Sequence, residues 1–141
     1  MFKGKVLNVY FKRLKLNQDL IKELKKTAES LGIKSGVITA IGALKKVRVG
    51  VYGKEGRYNI VEKEGFHELL SCMGNISVDE KGEVFIHAHI LAVDREENFI
   101  GGHLLEGSIV DVTVEVAIIE TDAKLVRAKD EETGLYLLKI E

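Results

Sequence analysis

Proline is absent from all 141 residues, cysteine occurs once, and no apolar run approaches the roughly 18 residues of a membrane-spanning helix. The lone Cys72 cannot close an internal disulfide. Within Leu69-Leu70-Ser71-Cys72-Met73 it reads as a small buried apolar residue rather than a nucleophile. No linker, low-complexity segment or internal repeat divides the chain. Its length is that of one domain, residues 1–141, able to bury about two thirds of its unfolded surface. Met1-Phe2-Lys3-Gly4-Lys5-Val6 offers neither the apolar core nor the small-residue cleavage site of a secretory signal, so a cytoplasmic protein without membrane attachment is expected. A single glutamine and cysteine beside abundant Lys and Glu is the composition of heat-adapted proteins, and a thermophile source is the corresponding expectation.

What is present is globular: 45% hydrophobic and 30% charged residues, with a net charge of −1. The charge is unevenly spread. Residues 1–50 carry twelve Lys/Arg against three Asp/Glu, whereas residues 51–141 carry nine against nineteen. Such asymmetry marks an anion- or nucleic-acid-binding face, or else two halves that interleave and pair their charges across one surface. The densest basic cluster, Lys45-Lys46-Val47-Arg48, falls at an expected turn into a strand and reads as a solvated edge.

Val6 to Phe11 predicts a first strand, with Asn17 as N-cap of a helix in which Leu20, Leu24, Ala28 and Leu31 recur at helical spacing, Ile21 sharing their side and Gly32 stopping it. From Gly36 onward the chain becomes a succession of strand-like runs: 37–41, 47–52, 58–61, 66–76, 84–93, 99–105 and 109–119. Asp79-Glu80-Lys81-Gly82 signals a hairpin turn, and short connections favour antiparallel neighbours. In the last long run Val110, Val112, Val114, Val116 and Ile118 form one face, with Asp111, Thr113 and Glu115 opposite. Residues 127–134 read as a charged loop before a closing segment, 135–140. The pattern predicts an α+β fold: one main helix and a strongly curved, largely antiparallel, barrel-like sheet. Its apolar surface exceeds what one helix can cover, so closure or self-association is expected.

Three of the four histidines fall within seventeen residues, as His87-Ala88-His89 and Gly101-Gly102-His103. The surrounding run from Val84 to Val93 is otherwise apolar, so His87 and His89 share one face of a strand. A polar connection, Asp94 to Asn98, lets the segment at Phe99 run back alongside and brings His103 towards the pair. Three histidines match the ligand count of an open zinc centre, with a fourth position left for water or substrate. Gly101 and Gly102 would allow close backbone approach. Hydrogen-bonded strand histidines in a core or interface are the alternative. Glu115, on a broadly polar face, and His67, read as a surface or interface histidine, stand outside this group.

With these pieces in place, the chain resembles the PPC domain, the plant and prokaryote conserved domain, over nearly all its length. The resemblance lies in Gly36-Val37-Ile38-Thr39-Ala40-Ile41-Gly42 after the helix, in the stretch from Gly65 to Ile76, in His87-Ala88-His89, and in Gly101-Gly102-His103-Leu104 followed by Val112 to Val116. Residues Arg127 to Leu135 also fit. It implies a homotrimer with His87, His89 and His103 as the metal site, zinc foremost, and a role as a DNA-binding or partner-binding protein. The Arg-Gly-Arg-Pro hook of plant members is missing. A more distant similarity to zinc-dependent acetolactate decarboxylase implies an alternative: a hydrolase or decarboxylase-like lyase acting on a small carbonyl, ester or carboxylate at the metal. There Glu68 is the candidate catalytic carboxylate. A pair between Glu68 and Arg127 or a lysine is the structural counterpart of that role.

Overall fold

The computed structural model describes Met1, residues 3–53 and residues 56–139, with Tyr58 described by its backbone alone. Strand β1 (Val6–Lys15) leads into helix α1 (Leu20–Leu31); then follow β2 (Gly36–Tyr52), β3 (Tyr58–Asp79), β4 (Val84–Asp94), β5 (Phe99–Leu104), β6 (Ile109–Thr121), β7 (Val126–Lys129) and β8 (Tyr136–Leu138). They form one eight-stranded sheet in the order β1-β6-β2-β5-β4-β3-β7-β8, and a further pairing of β2 with β3 closes a circuit through β5 and β4. The result is a curved sheet ring with one helix. All neighbours are antiparallel except β3 and β7, which run parallel at Val78 and Asp79.

The helix forms where the apolar spacing demanded it, but its start differs from the sequence expectation. Asn17 occupies the turn with φ 71°, and Asp19 is the cap. The Asp19 carboxylate accepts from the Lys22 amide at 3.2 Å and from the Gly107 amide at 2.7 Å, which also ties the helix to the loop before β6. Gly32 ends the helix in the left-handed conformation at φ 68°. Leu20, Leu24 and Ala28 are buried, whereas Leu31 is 45% exposed and lies off the packed stripe. Full burial of Leu20 and Leu24 contributes about 1.5–3 kcal/mol each.

Two pairs of runs separated in the sequence by glycine or charge are single bent strands. Runs 37–41 and 47–52 merge in β2, and 58–61 and 66–76 merge in β3, with register shifts after Ala40 and Leu44 absorbing the irregular residues. Lys45-Lys46-Val47-Arg48 therefore lies within β2 rather than at a turn. Lys46 pairs with Glu62 at 2.8 Å and Glu64 at 3.1 Å, and Arg48 with Glu62 at 3.3 Å. The basic and acidic halves of the chain thus partly neutralise one another across adjacent strands.

The inner face packs Ile38, Leu44, Leu69, Cys72, Ile76, Ile90, Leu104, Val114 and Ile118 against α1. Val112 departs from its expected face and is 71% exposed. His67, read as a surface or interface histidine, is buried within the chain itself, its Nδ1 2.8 Å from the Gly65 carbonyl. The supposed charged loop after Val126 begins as strand β7, which pairs with β8, while Ile140 of the expected closing segment lies outside the described residues. On the outer face, Phe11, Val37, Ile41, Met73, Leu91 and Phe99 are exposed.

Candidate metal centre

The alternation of β4 sends Ile86, Ala88, Ile90 and Ala92 into the core and His87 and His89 to the outer face. In the antiparallel register His103 of β5 stands directly opposite His89, and Asn75 of β3 directly opposite His87. Three adjacent strands thereby converge on one spot. The backbone must pass tightly here. A Cβ on Gly74 would fall 2.2 Å from the His87 carbonyl oxygen, and one on Gly102 would fall 2.8 Å from that of Gly50. The expected close approach at Gly101-Gly102 is thus present, and Gly74 adds a constraint that the spacing of histidines did not reveal.

The three imidazoles meet with ring centroids 5.2 Å apart for His87 and His89, 5.1 Å for His87 and His103, and 5.4 Å for His89 and His103. One ring nitrogen from each lies within 4.8 Å of the others. Nitrogens on a tetrahedral zinc stand about 3.4 Å apart, given bonds of about 2.0–2.1 Å, so ring rotations of about an ångström would bring the set to ligating distance. His87 and His103 are half-buried and His89 is exposed, so one side of the cluster is open. That side faces a cavity of about 480 Å³ lined by the three histidines, Arg127, Phe85 and Tyr136 among others.

The place of Arg127 at the site is what sequence reasoning missed, having put it at the start of a charged loop that fits the family resemblance and named it as a partner for Glu68. It is 4% exposed. Its Nε donates to Ser77 Oγ at 3.0 Å and Nη1 to the Tyr136 carbonyl at 2.8 Å; Nη2 donates to Asn75 Oδ1 at 3.0 Å and to His87 Nδ1 at 3.2 Å. The guanidinium carbon also lies 5.3 Å from the centroid of the Phe85 ring, which stacks on Tyr136 at 5.9 Å. The only signal available in the sequence was its position between two apolar neighbours, Val126 and Ala128.

This arrangement sets the protonation of the site. Burial, then the Arg127 cation, then the neighbouring imidazoles hold His87 down at about 4. Burial, followed by His89 and Arg127, lowers His103 as well. Both rings are neutral near pH 7, as metal ligation requires. Because a guanidinium only donates, His87 Nδ1 is the acceptor and its ring proton sits on Nε2. Ligation by the neutral ring through Nε2 would require that proton to move to Nδ1, and ligation through Nδ1 would use the same lone pair, so in either case Arg127 would give up its hydrogen bond to His87. With that one exchange the donor set fits an imidazole-binding metal, of which zinc, copper, iron and nickel are the usual ones.

Glu68 is exposed on β3, opposite Ala43 and Val93. Val93 follows His89 by four residues on β4, a distance of about 13 Å along the strand, so Glu68 shares the outer face but not the cavity. Among the described residues Glu68 makes no ion pair with Arg127 or a lysine.

Fold and site together define a curved-sheet α+β protein with a three-histidine cluster on its outer face. The chain belongs to the Plants and Prokaryotes Conserved (PCC) domain family, whose model matches residues 1–122. Among solved structures, a metal-containing protein from Archaeoglobus fulgidus is 30% identical, with TM-score 0.89 and 99% of each chain covered. A plant- and prokaryote-conserved protein from Pyrococcus horikoshii is 31% identical, with TM-score 0.87, covering 100% of this chain and 96% of that one. A "putative DNA binding protein" from Bacteroides thetaiotaomicron, at 23% identity and TM-score 0.87 over 99% of this chain and 97% of its own, shares the fold. The bifunctional protein GlmU of a Synechococcus strain is 28% identical over 96% of this chain, which spans 21% of that relative's length. Among the described residues, no helix is long and apolar enough to cross a membrane.

Proposed function

We propose that this PCC-domain protein holds a divalent transition metal, zinc foremost, on His87, His89 and His103 and acts as a homotrimeric binding module for DNA or a protein partner. The convergence of three imidazoles from two neighbouring strands on the rim of an open cavity carries this reading. The metal-containing relative from Archaeoglobus fulgidus supports it. Exposed Phe11, Ile41, Met73 and Phe99 on the outer sheet face supply the apolar surface that association with further copies would bury. DNA is the macromolecular partner to which the structural neighbours and the basic first half point. Lys46 and Arg48 are already paired with Glu62 and Glu64, so phosphate contact would fall to other lysines.

The open cavity beside the rings favours one alternative, a zinc-dependent hydrolase or decarboxylase-like lyase acting on a small carbonyl, ester or carboxylate. When bound, the metal would supply Lewis acidity towards an oxygen of that ligand. The residues of the chain would do the rest: neutral imidazoles hold the cation, Arg127 places a fixed positive charge beside it, and Phe85 and Tyr136 wall the cavity. Glu68, about 13 Å along the sheet from His89, does not line the cavity.

Elemental analysis of untagged protein, read beside its mass in solution, tests the principal reading. One metal per chain and a mass of three chains are expected, with His89→Ala losing the metal while keeping the fold. Unchanged metal content in that variant would refute the assignment. Binding to duplex DNA should weaken steeply between 50 and 200 mM salt, by about tenfold or more; no salt-sensitive binding at all would remove DNA as the partner.

A further inference from the structure

Arg127 presents an electrostatic imbalance. It is 4% exposed, and its four hydrogen bonds all go to uncharged acceptors: Ser77, Asn75, His87 and the Tyr136 carbonyl. Among the described residues no carboxylate lies within ion-pair distance of it. A buried cation without an anion is costly. The cost grows when the site is loaded. Three neutral imidazoles leave a divalent metal its full charge, Arg127 adds one more, and no acidic side chain among the described residues lines the cavity. Among the described residues no side chain supplies the charge that would balance this centre, and an anionic ligand would supply it.

We propose that the cavity binds a small organic carboxylate, its anionic head held between the metal position and Arg127 and its apolar body against Phe85, Leu135 and Tyr136. The inference rests on the three-histidine metal reading and narrows the ligand to one class, held by Arg127 as well as the metal position. The volume of about 480 Å³ lies within the range of small-molecule sites. Carboxylate is favoured over phosphate because Arg127 is the only cationic side chain among the described lining residues, while the remaining walls are largely aromatic and aliphatic. A phosphate would exchange strong hydration for one guanidinium edge; a carboxylate with an apolar body fits both parts of the surface.

Titration calorimetry on the full chain, zinc-loaded and separately zinc-stripped, tests this with three probes: benzoate, its neutral isostere benzamide, and inorganic phosphate. Benzoate should bind the loaded protein about tenfold more tightly than either of the others. With each variant brought to one zinc per chain before titration, Arg127→Gln should weaken benzoate by about tenfold, and Arg127→Lys, which keeps the charge but not the fork, should fall between. Equal binding of benzoate and benzamide, tighter binding of phosphate, or unaltered benzoate affinity in Arg127→Gln would overturn the proposal. If circular dichroism shows that Arg127→Gln does not fold, Arg127→Lys and the contrast among probes on the unaltered chain decide. A chain that takes up no zinc refutes the metal reading separately, and the benzoate–benzamide contrast on the stripped protein then decides the role of Arg127.

Discussion

Acidifying the metal-free protein should destabilise it in a window that His87 defines. The folded ring titrates at about 4 because it is buried and faces the Arg127 cation, whereas an unfolded histidine titrates near 6.5. Between those values the unfolded chain takes up a proton that the folded chain refuses. Stability is therefore fully present above the unfolded value, declines as pH falls below about 6.5, and has lost the whole contribution near the folded value of about 4. A shift of this size corresponds to about 3 kcal/mol, reduced to about 2–3 kcal/mol because the ring is only half-buried and partly screened by solvent. His103, lowered in the same direction, adds to the effect. Asp94 and Asp130, whose carboxyls are held below their ordinary range by hydrogen bonds from Asn98 and Thr133, lose their contributions only at still lower pH. Urea unfolding between pH 7.5 and 4.5 in the presence of a chelator measures the slope. His87→Gln, which cannot take up the proton, should show a loss smaller by about 2 kcal/mol over that interval. Identical pH dependence in the two proteins would refute the burial and charge argument for His87.

Other perturbations have outcomes set by the packing. Gly74→Ala places a methyl 2.2 Å from the His87 carbonyl oxygen, and urea unfolding should show a loss of about 3 kcal/mol or more together with weaker metal uptake, because the β4 backbone beneath His87 has to move. Leu24→Ala removes a residue that is 1% exposed under the sheet and should cost about 2–5 kcal/mol in the same assay, with metal stoichiometry unchanged because the histidines lie on the opposite face. His89→Ala should abolish metal uptake with little loss of stability, since His89 is exposed and contributes more to ligation than to packing.

The sheet, its antiparallel neighbours and the helix were legible because period-2 and period-3.6 patterns are local. The alternation around His87 and His89 fixes their common face, and the short Asp94–Asn98 connection fixes His103 opposite His89. Long-range features were less visible. Nothing local states that Gly42 or Lys45 marks a bend inside one strand rather than a break between two, because the bend is stabilised by the β3 and β6 strands on either side. Asp19 rather than Asn17 caps the helix because its carboxylate also reaches the Gly107 amide, 88 residues away in sequence. Arg127 was hidden for the same reason. Its acceptors Asn75 and Ser77 lie some fifty residues upstream, and only the β3–β7 pairing brings them together.

The histidines belong to the closed circuit of strands, whereas the opposite wall of the cavity comes from residues 126–138, attached to the main sheet through two parallel register positions and the Arg127 side chain. The side chains proposed to hold a metal and those proposed to select its ligand therefore come from different parts of the chain. On the metal and ligand proposals above, changes confined to this short terminal hairpin would retune which guest is admitted, with Arg127 as the one side chain that links the hairpin to an imidazole of the ring.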